Sequence, residues 1–387
     1  DARPLFNEID LRLLASASNR AALPAQFSLA QDLRRMRPHI EGDNSWQPIS
    51  AEELNAQQAS FTAAGLQQLF AYLQQAQRYY VQHDYAGIIK EIPAPAAGSK
   101  LELIPFSQQM LRGMALLAQK QWPEAEAHWQ QLLALNPDAL QQPLLQLAMA
   151  LTLERSDRLD ALFAADSVVT LPELRDPLLR FVAPAELLRK LAQQPHLSGE
   201  ERNTALFTLL YKELMAGQYQ AFIQDAALVA AQPQPKAPFE LALFAQGARA
   251  EEGYSCPALQ ESLSTLQKNP KAAKALNCLG EFIYRQGWDD SPLGLAPAAN
   301  ELAGSPTRFA APVAGRLALY RQVIADKQAP AEERSYALYR AINCYATSGY
   351  NHCGGEDLPK EERKRWFMTL KKQYAKSPWA QQLKYYW

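Results

Sequence analysis

Long hydrophobic runs and glycine are both scarce in this sequence. No apolar stretch reaches the roughly 18 residues needed to cross a bilayer, so we predict no transmembrane helix. Glycine accounts for 17 of the 387 residues, and runs of valine, isoleucine and threonine are few. The abundant residues are alanine, leucine and glutamine, whose unbranched side chains lose little rotamer freedom in a helix. Since no segment alternates apolar and polar residues between turn signals, the sequence predicts an all-α protein.

A large net charge is also absent. The formal charge is −1, so no whole-molecule field would hold DNA or RNA, and we predict no nucleic-acid partner. The charge is uneven, because residues 360–387 contain eight lysines or arginines and two glutamates. Such a basic end is either the solvated face of a helix or a surface for an acidic partner or a membrane.

Nucleotide-binding, hydrolase and zinc motifs are missing. There is no GxxxxGK[ST], GxGxxG or GxSxG, and the five histidines are too scattered for a metal site. His352 and Cys353 are adjacent, but a turn explains them better than a catalytic pair. Glu261-Ser262 matches the catalytic pair of lytic transglycosylases, yet the segments that follow that pair in the family are lacking. We therefore predict no catalytic residue, no cofactor, no metal and no small-molecule substrate.

The four cysteines form two pairs that are close in sequence. Cys256 and Cys278, and likewise Cys344 and Cys353, each place a loop residue beside a predicted helix that holds the other. Bridges within these pairs would each stabilise the fold by about 2–3 kcal/mol. Four cysteines allow three connectivities, and free cytosolic thiols or a metal site are the alternatives. If the bridges form, the protein occupies an oxidising compartment, most simply a bacterial periplasm.

The first residue is Asp1 rather than methionine. Removal of an export signal explains such a start, so we expect an exported, periplasmic protein, in the periplasmic space or associated with the outer membrane.

Prolines divide the chain into amphipathic helices. Pro137, Pro270, Pro330 and Pro378 each follow one such stretch and precede another, and proline fits the first turn of a helix but not its interior. The pattern predicts helices at about 60–80, 104–119, 123–135, 140–154, 200–216, 219–231, 237–251, 257–268, 271–286, 310–326, 331–347, 360–375 and 378–386.

The stretch from Leu111 to Ala139 resembles the tetratricopeptide repeat family. That family's unit is two antiparallel helices with small residues where they cross, large apolar residues between them and a closing proline. Gly113 and Ala125 occupy the small positions here, and Gln109 and Arg112 depart from the pattern. The large positions and the closing position hold Leu116, Trp129, Leu132 and Pro137.

A weaker match to the same repeat follows Pro270, and a fainter one spans 239–270. In the unit after Pro270 the first-helix positions hold Leu276, Leu279, Gly280 and Ile283. We expect its second helix to be lost in the insertion WDDSPLGLAPAANELAGSP. The resemblance implies an α-solenoid of antiparallel helix pairs, a superhelix similar to repeat proteins of the bacterial envelope.

The repeats imply three parts of the chain. We predict an N-terminal cap or arm at 1–60 and helical repeats at 61–235. Repeats with disulfide-stapled loops and an aromatic, basic C-terminal cap follow at 236–387. The apolar face formed by Met110, Met114 and Leu117 is either covered by the arm or open to a partner helix. Aromatic residues of the C-terminal cap either close the array, meet a partner or lie on a membrane: Trp366, Phe367, Tyr374, Trp379, Tyr385, Tyr386 and Trp387.

The candidate binding site is a polar stripe on the helix after Pro270. In repeats of this type the first helix lines the concave face, and spacings of three and four residues place the stripe opposite Leu276, Leu279 and Ile283. Its residue types suit a peptide carboxylate or an extended backbone, although an ordinary solvated helix face has the same composition. The stripe consists of Lys274, Asn277, Glu281, Tyr284 and Arg285.

These patterns predict a non-catalytic scaffold or adaptor that binds protein partners, membrane-associated ones among them, in a bacterial cell-envelope assembly. Two alternatives stay open. The first is an envelope enzyme, or an accessory domain of one, that acts on peptidoglycan or polysaccharide. The second is a cytosolic regulator with free thiols.

Overall fold

The computed structural model describes residues 63–231, 238–245, 253–307, 309 and 315–387. Within these ranges the chain forms sixteen α-helices, one π-helical segment, two 3₁₀ segments and no β-strand, so the predicted all-α class is confirmed. The predicted arm at 1–60 and parts of the predicted helices 237–251 and 310–326 lie outside the described residues.

The chain divides into two compact units. The N-terminal unit combines the described part of Asp1–Leu178 with Pro297–Ser305, and the C-terminal unit combines Leu179–Ala296 with Pro306–Trp387. This division differs from the predicted boundary at residue 235, which separated two sets of repeats rather than two compact units.

In the N-terminal unit, helices that follow one another along the chain pack together from α1 to α6. The helices α1 and α3 also touch, and so do α5 and α7. The seven helices are α1 (Ala63–Tyr80), α2 (Tyr85–Glu91), α3 (Leu103–Ala118), α4 (Trp122–Leu133), α5 (Gln141–Arg155), α6 (Leu159–Leu162) and α7 (Pro172–Pro177).

The chain enters the C-terminal unit through a π-helical segment (Leu178–Val182) and continues as nine α-helices. Each helix from α8 to α15 packs on the next, and α14 also contacts α12 and α16. The helices are α8 (Ala185–Leu191), α9 (Gly199–Met215), α10 (Tyr219–Asp225), α11 (Leu259–Lys268), α12 (Ala273–Arg285), α13 (Arg316–Ala325), α14 (Ala331–Asn343), α15 (Lys360–Gln373) and α16 (Pro378–Gln382). The two 3₁₀ segments are Ala226–Ala231 and Leu241–Ala245.

Long helices match the predicted spans within a few residues, whereas short helices were missed. The predicted helix 219–231 ends as α-helix at Asp225 and continues as a 3₁₀ segment, and the described part of 237–251 is the 3₁₀ segment Leu241–Ala245. The missed helices are α2, α6, α7 and α8, none longer than seven residues. Such lengths hold at most two turns, too few for an apolar period to repeat.

Gly113 is small because an aromatic ring occupies the space of its side chain. A Cβ atom at this position would overlap the indole of Trp129, which projects from α4 and is fully buried. The repeat pattern predicted a small residue here, where two helices cross, and the structure shows that the space is filled by an aromatic ring. The indole Nε1 donates to Thr152 Oγ1 on α5 at 2.9 Å, so Trp129 links three consecutive helices.

The same contact recurs in the C-terminal unit. A Cβ atom on Gly280 of α12 would lie 2.6 Å from Cε1 of Tyr320, a buried residue of α13. The insertion WDDSPLGLAPAANELAGSP, residues 288–306, contains no helix. The separately predicted helix 310–326 is present as α13 (Arg316–Ala325), which packs on α12.

Part of that insertion completes the N-terminal unit. The carboxylate of Glu154, at the end of α5, accepts hydrogen bonds from the backbone N–H of Ala303 at 2.9 Å and of Ser305 at 3.0 Å. The next residue, Arg155, donates to the carbonyls of Ala299 and Glu301, each at 3.2 Å. Glu154 is buried, so these amide donors replace the water that its carboxylate loses on folding. We call residues 297–305 the returning segment.

Arg112 and Gln109 depart from the repeat pattern and bind the C-terminal end of α2, a helix that the sequence did not predict. Arg112 donates to the carbonyl of Ile92 at 2.7 Å and also to that of Ile89, while Gln109 donates to the carbonyl of Pro93 at 3.0 Å. The last carbonyls of a helix have no partner within the helix. These two side chains therefore stabilise the C-terminal end of α2.

Candidate docking face and buried polar clusters

The predicted polar stripe lies on one face of α12, but most of that face packs against α14. The Asn277 amide donates to Glu333 Oε2 at 2.9 Å and to the Glu333 carbonyl at 3.0 Å. Glu281 Oε1 lies 2.8 Å from Nη2 of Arg340. Asn277 and Glu281 are both buried, so they hold α12 to α14 and do not form an open surface.

One polar cluster of this helix pair is centred on Glu333. Its carboxylate accepts a hydrogen bond from the hydroxyl of Tyr254, whose ring stacks on Tyr336 with 3.6 Å between centroids. Lys274 Nζ lies 3.5 Å from the Tyr254 ring centroid and 3.7 Å from Glu333 Oε1. Burial and the hydrogen bond to Glu333 raise the pKa of Tyr254, so this hydroxyl keeps its proton at neutral pH.

A second cluster surrounds Glu281. Its carboxylate accepts from Arg340, from the Tyr336 hydroxyl and, at 3.1 Å, from Arg285 Nε. Arg340 Nε also lies 2.9 Å from the Tyr336 oxygen. Although burial opposes its charge, Tyr336 and Glu281 hold the pKa of Arg340 above its ordinary value. Each ionic group of the cluster is therefore compensated by a neighbour, as a buried charge requires.

Tyr284 is the most open aromatic residue of this region. Its exposed fraction is 41%, and the guanidinium carbons of Arg316 and Arg340 each lie 4.7 Å from its ring centroid. Arg316 is held by a two-point ion pair with Asp289, at 2.7 and 2.8 Å. This arrangement fixes Tyr284 on a cationic support.

Three members of the stripe keep contact with solvent: Lys274, Tyr284 and Arg285. We call them the rim residues. Partner binding at the rim residues stays a prediction.

The cysteines pair as predicted. Disulfides join Cys256 to Cys278 and Cys344 to Cys353, with Cα–Cα distances of 5.5 and 5.3 Å. Because Cys353 is bonded, it is not a thiol nucleophile, and His352 lies instead 2.6 Å from Ser348 Oγ. Gly315, just before α13, has no room for a Cβ, since the carbonyl of Cys353 and the Cα of Gly354 approach it closely. The second disulfide loop therefore packs on the start of α13.

A buried pair of carboxyl groups lies elsewhere in the C-terminal unit. Arg189 Nη2 lies 2.7 Å from Asp225 Oδ2 and 3.3 Å from Glu213 Oε1. Burial, followed by the hydrogen bond to Asp225, raises the pKa of Glu213 to about 9. Glu213 is therefore protonated at neutral pH, and the ionic partner of Arg189 is Asp225. Paired, desolvated carboxyls are typical of some hydrolases, but Glu213 is fully buried and has no solvent-facing side for a substrate.

The remaining sequence candidates are separated from one another or partly covered. Glu261 is exposed whereas Ser262 is buried, so the two do not share an open site. Met110 is buried, while Met114 and Leu117 are half-buried, and the arm predicted to cover them lies outside the described residues. Among the C-terminal aromatic residues, Trp366 and Trp379 are buried, whereas Tyr385 is 67% exposed.

Among the described residues, no three histidine, cysteine, aspartate or glutamate side chains form a group able to hold a metal ion. No helix in the described ranges combines the length and apolar character that crossing a membrane requires.

Sequence patterns did not predict the α14 partners of the stripe, although these residues carry a recognisable spacing. Glu333, Tyr336 and Arg340 are spaced by three and four residues and therefore share one face of α14. Two such polar faces on helices that lie near one another in the chain indicate a buried helix–helix contact as readily as a solvated surface.

Comparison of the chain with protein-family models, with curated proteins and with solved structures gave no match.

Proposed function

We propose that this protein is a non-catalytic scaffold or adaptor, built as a tetratricopeptide-like α-solenoid, in a bacterial cell-envelope assembly. The observation that carries the proposal is the repeated glycine–aromatic contact between paired helices, Gly113 with Trp129 and Gly280 with Tyr320. Contacts from each helix to the next, and between alternate helices such as α12 and α14, agree with stacked pairs.

The rim residues are the proposed docking point for a partner. Tyr284 offers an aromatic surface fixed by two guanidinium groups, and Lys274 and Arg285 place positive charge on the same helix. Tyrosine and arginine are the residue types that dominate binding energy at protein interfaces. A partner segment with a carboxylate and an extended backbone suits this chemistry.

The proposed compartment is oxidising, most simply the periplasm. Both cysteine pairs lie within disulfide distance, and such bonds persist outside the cytosol. Four freely alkylated thiols in protein isolated from its native cells would contradict this part of the proposal.

The test of the proposed docking point uses site-specific crosslinking in cells. A benzophenone amino acid at position 284 of the full chain should give a discrete crosslinked species, whereas the same group at exposed Gln267 on α11 should not. The variant Lys274→Ala/Arg285→Ala should reduce that species about tenfold or more. The matched variant Lys268→Ala/Lys271→Ala, which removes two exposed lysines elsewhere in the same unit, should leave it unchanged.

Two results would contradict the proposed function. Equal crosslinking from positions 284 and 267 would remove the rim residues as a docking point. Release of soluble fragments from peptidoglycan or polysaccharide by the purified chain would favour the enzymatic alternative instead.

A further inference from the structure

The outward face of α15 is basic, and the structure separates it from the aromatic residues of the same segment. Trp366 and Leu370 are buried on one side of the helix. Met368 lies on the opposite side and is 40% exposed. Lys364 and Lys372 are four residues before and after Met368, so all three form one line along the helix. We call Lys364, Arg365, Met368 and Lys372 the α15 outer face.

The aromatic residues around α15 mostly seal the end of the unit. The Trp379 ring packs edge-on against Tyr336 at 4.9 Å, and Phe367 lies against Tyr386 at 5.4 Å. Tyr385, which is 67% exposed, is the exception, and it follows the exposed Lys384.

Cations on the inner side of α15 have partners among the described residues, whereas the exposed lysines do not. Arg363 donates to the carbonyl of Gly349 at 3.0 Å, and Lys371 donates to the carbonyl of Ala380. Lys364 and Lys372 on the outer side, and Lys376 just after the helix, are exposed and make no ion pair or side-chain hydrogen bond with another described residue. Arg365 is 71% exposed and lies 3.5 Å from Glu362. The outer face therefore retains an excess of positive charge.

The residue types on this face favour an anionic lipid surface over an acidic protein. Lysine is a mobile point charge, while a carboxylate on a protein is bound best by the planar fork of arginine. Lys364 and Lys372 lie about 12 Å apart along the helix, so each can meet a separate headgroup of a diffuse anionic surface. An exposed methionine between the lysines, and a tyrosine beside Lys384, add apolar contacts of the kind found at membrane interfaces.

We propose that the α15 outer face, with Lys376 and Lys384, binds anionic phospholipid headgroups and holds the C-terminal unit at a bilayer surface. This surface is separate from the rim residues of α12, so the proposal does not depend on the proposed protein docking. Binding is reversible, because each basic residue near an anionic surface contributes only about a fivefold gain in partitioning.

The experiment measures sedimentation of the full chain with lipid vesicles. Vesicles of phosphatidylcholine with about one third phosphatidylglycerol should bind the chain, and pure phosphatidylcholine should not. The variant Lys364→Gln/Lys372→Gln/Lys376→Gln should bind roughly 100-fold more weakly. The matched variant Lys268→Gln/Lys271→Gln/Lys327→Gln, also in exposed positions, should stay within about twofold of the wild type.

Two further arms identify the partner class. Met368→Gln should weaken vesicle binding about threefold, because it removes apolar contact at constant charge. Raising the salt concentration from about 50 to about 500 mM should abolish binding. Thermal unfolding of every variant should match that of the wild type, since the altered side chains are exposed.

The proposal is overturned by any of three results. The first is equal binding to charged and uncharged vesicles. The second is an equal loss of binding in both triple variants. The third is tighter binding to soluble polyglutamate than to charged vesicles with no effect of Met368→Gln, which would assign the face to an acidic protein.

Discussion

The α3–α4 joint of the N-terminal unit and the α12–α13 joint of the C-terminal unit use the same contact in different surroundings. At the first joint, Gly113 lies under Trp129, and the fully buried neighbours include Ala115 and Leu132. At the second joint, Gly280 lies under Tyr320, and the next residue along α12 is the buried Glu281. The same glycine–aromatic contact therefore lies among apolar residues at the first joint and next to a buried ion pair at the second.

The two joints also differ in the chain that connects their helices. Residues 119–121 join α3 to α4, whereas residues 286–315 join α12 to α13. Lengthening a loop costs little free energy, because the closure entropy grows only with the logarithm of its length. The same ring-on-glycine packing therefore occurs across a connection of 3 residues and across one of 30 residues.

The largest expected effect on stability follows from replacing Arg340. We call the buried polar contact between α12 and α14, formed by Asn277, Glu281, Glu333 and Arg340, the polar seam. Arg340→Met leaves the carboxylate of Glu281 buried with one ionic partner fewer, so we expect the free energy of unfolding to fall by about 3–5 kcal/mol. Arg158→Met removes an ion pair with Glu126 in the N-terminal unit, where Arg158 is half-exposed, and should cost at most about 1 kcal/mol. Urea denaturation measures both values.

A double variant sharpens this comparison. Arg340→Met/Glu281→Gln removes the uncompensated charge and should recover a large part of the loss. Equal costs for Arg340→Met and Arg158→Met would show that the seam is not the ionic core we describe.

The second effect is steric and acts at both joints. In Gly113→Ala the new methyl group overlaps the indole of Trp129, and we expect a net loss of about 2 kcal/mol after the gain in helix propensity. Gly280→Ala should cost less, about 1 kcal/mol, because its nearest ring atom is 2.6 Å from the Cβ position and a tyrosine ring is smaller. Thermal unfolding compares the two variants.

The control for the steric effect is a compensating change across the joint. Trp129→Leu in the Gly113→Ala background should cost less than Trp129→Leu in the wild type. Additive costs would mean that the glycine and the ring do not share one space.

A third effect is a gradual pH dependence of opposite sign in the two units. Burial lowers the pKa of His128 from 6.5 to about 4, so the N-terminal unit loses stability as the pH falls through that interval. The raised pKa of Glu213, about 9 against 4.5 in the unfolded chain, makes the C-terminal unit lose stability as the pH rises. Each slope is at most about 1.4 kcal/mol per pH unit.

Hydrogen exchange measured peptide by peptide, and corrected for the pH dependence of the intrinsic exchange rate, gives the stability of each unit separately as a function of pH. His128→Gln should flatten only the acid side in the N-terminal unit, and Glu213→Gln only the alkaline side in the C-terminal unit. The same slope in both units would contradict this assignment.

Periodicity and composition predicted the helical class, the long helices and the two cysteine pairs, because each of these depends on residues near one another in the chain. Gly280 was also recognised as a crossing position, but its ring partner Tyr320 lies beyond the insertion. No local pattern identifies a partner at that separation.

The polar stripe on α12 shows why the candidate site was harder to predict. Spacing alone places Asn277 and Glu281 on one face, and a solvated face has the same spacing as a seam. The difference lies in Glu333 and Arg340, which neutralise the stripe from another helix. Burial of a polar face thus becomes visible only when its complementary face is known.

The returning segment delays completion of the N-terminal unit during synthesis of the chain. Translation adds about 5–20 residues per second, so roughly 6–25 s separate the synthesis of residue 178 from that of residue 305. During this interval the carboxylate of Glu154 lacks the two backbone N–H donors that Ala303 and Ser305 later supply. The N-terminal unit, most of which is synthesised first, therefore acquires these hydrogen-bond donors only after residues 179–296 of the C-terminal unit have been made.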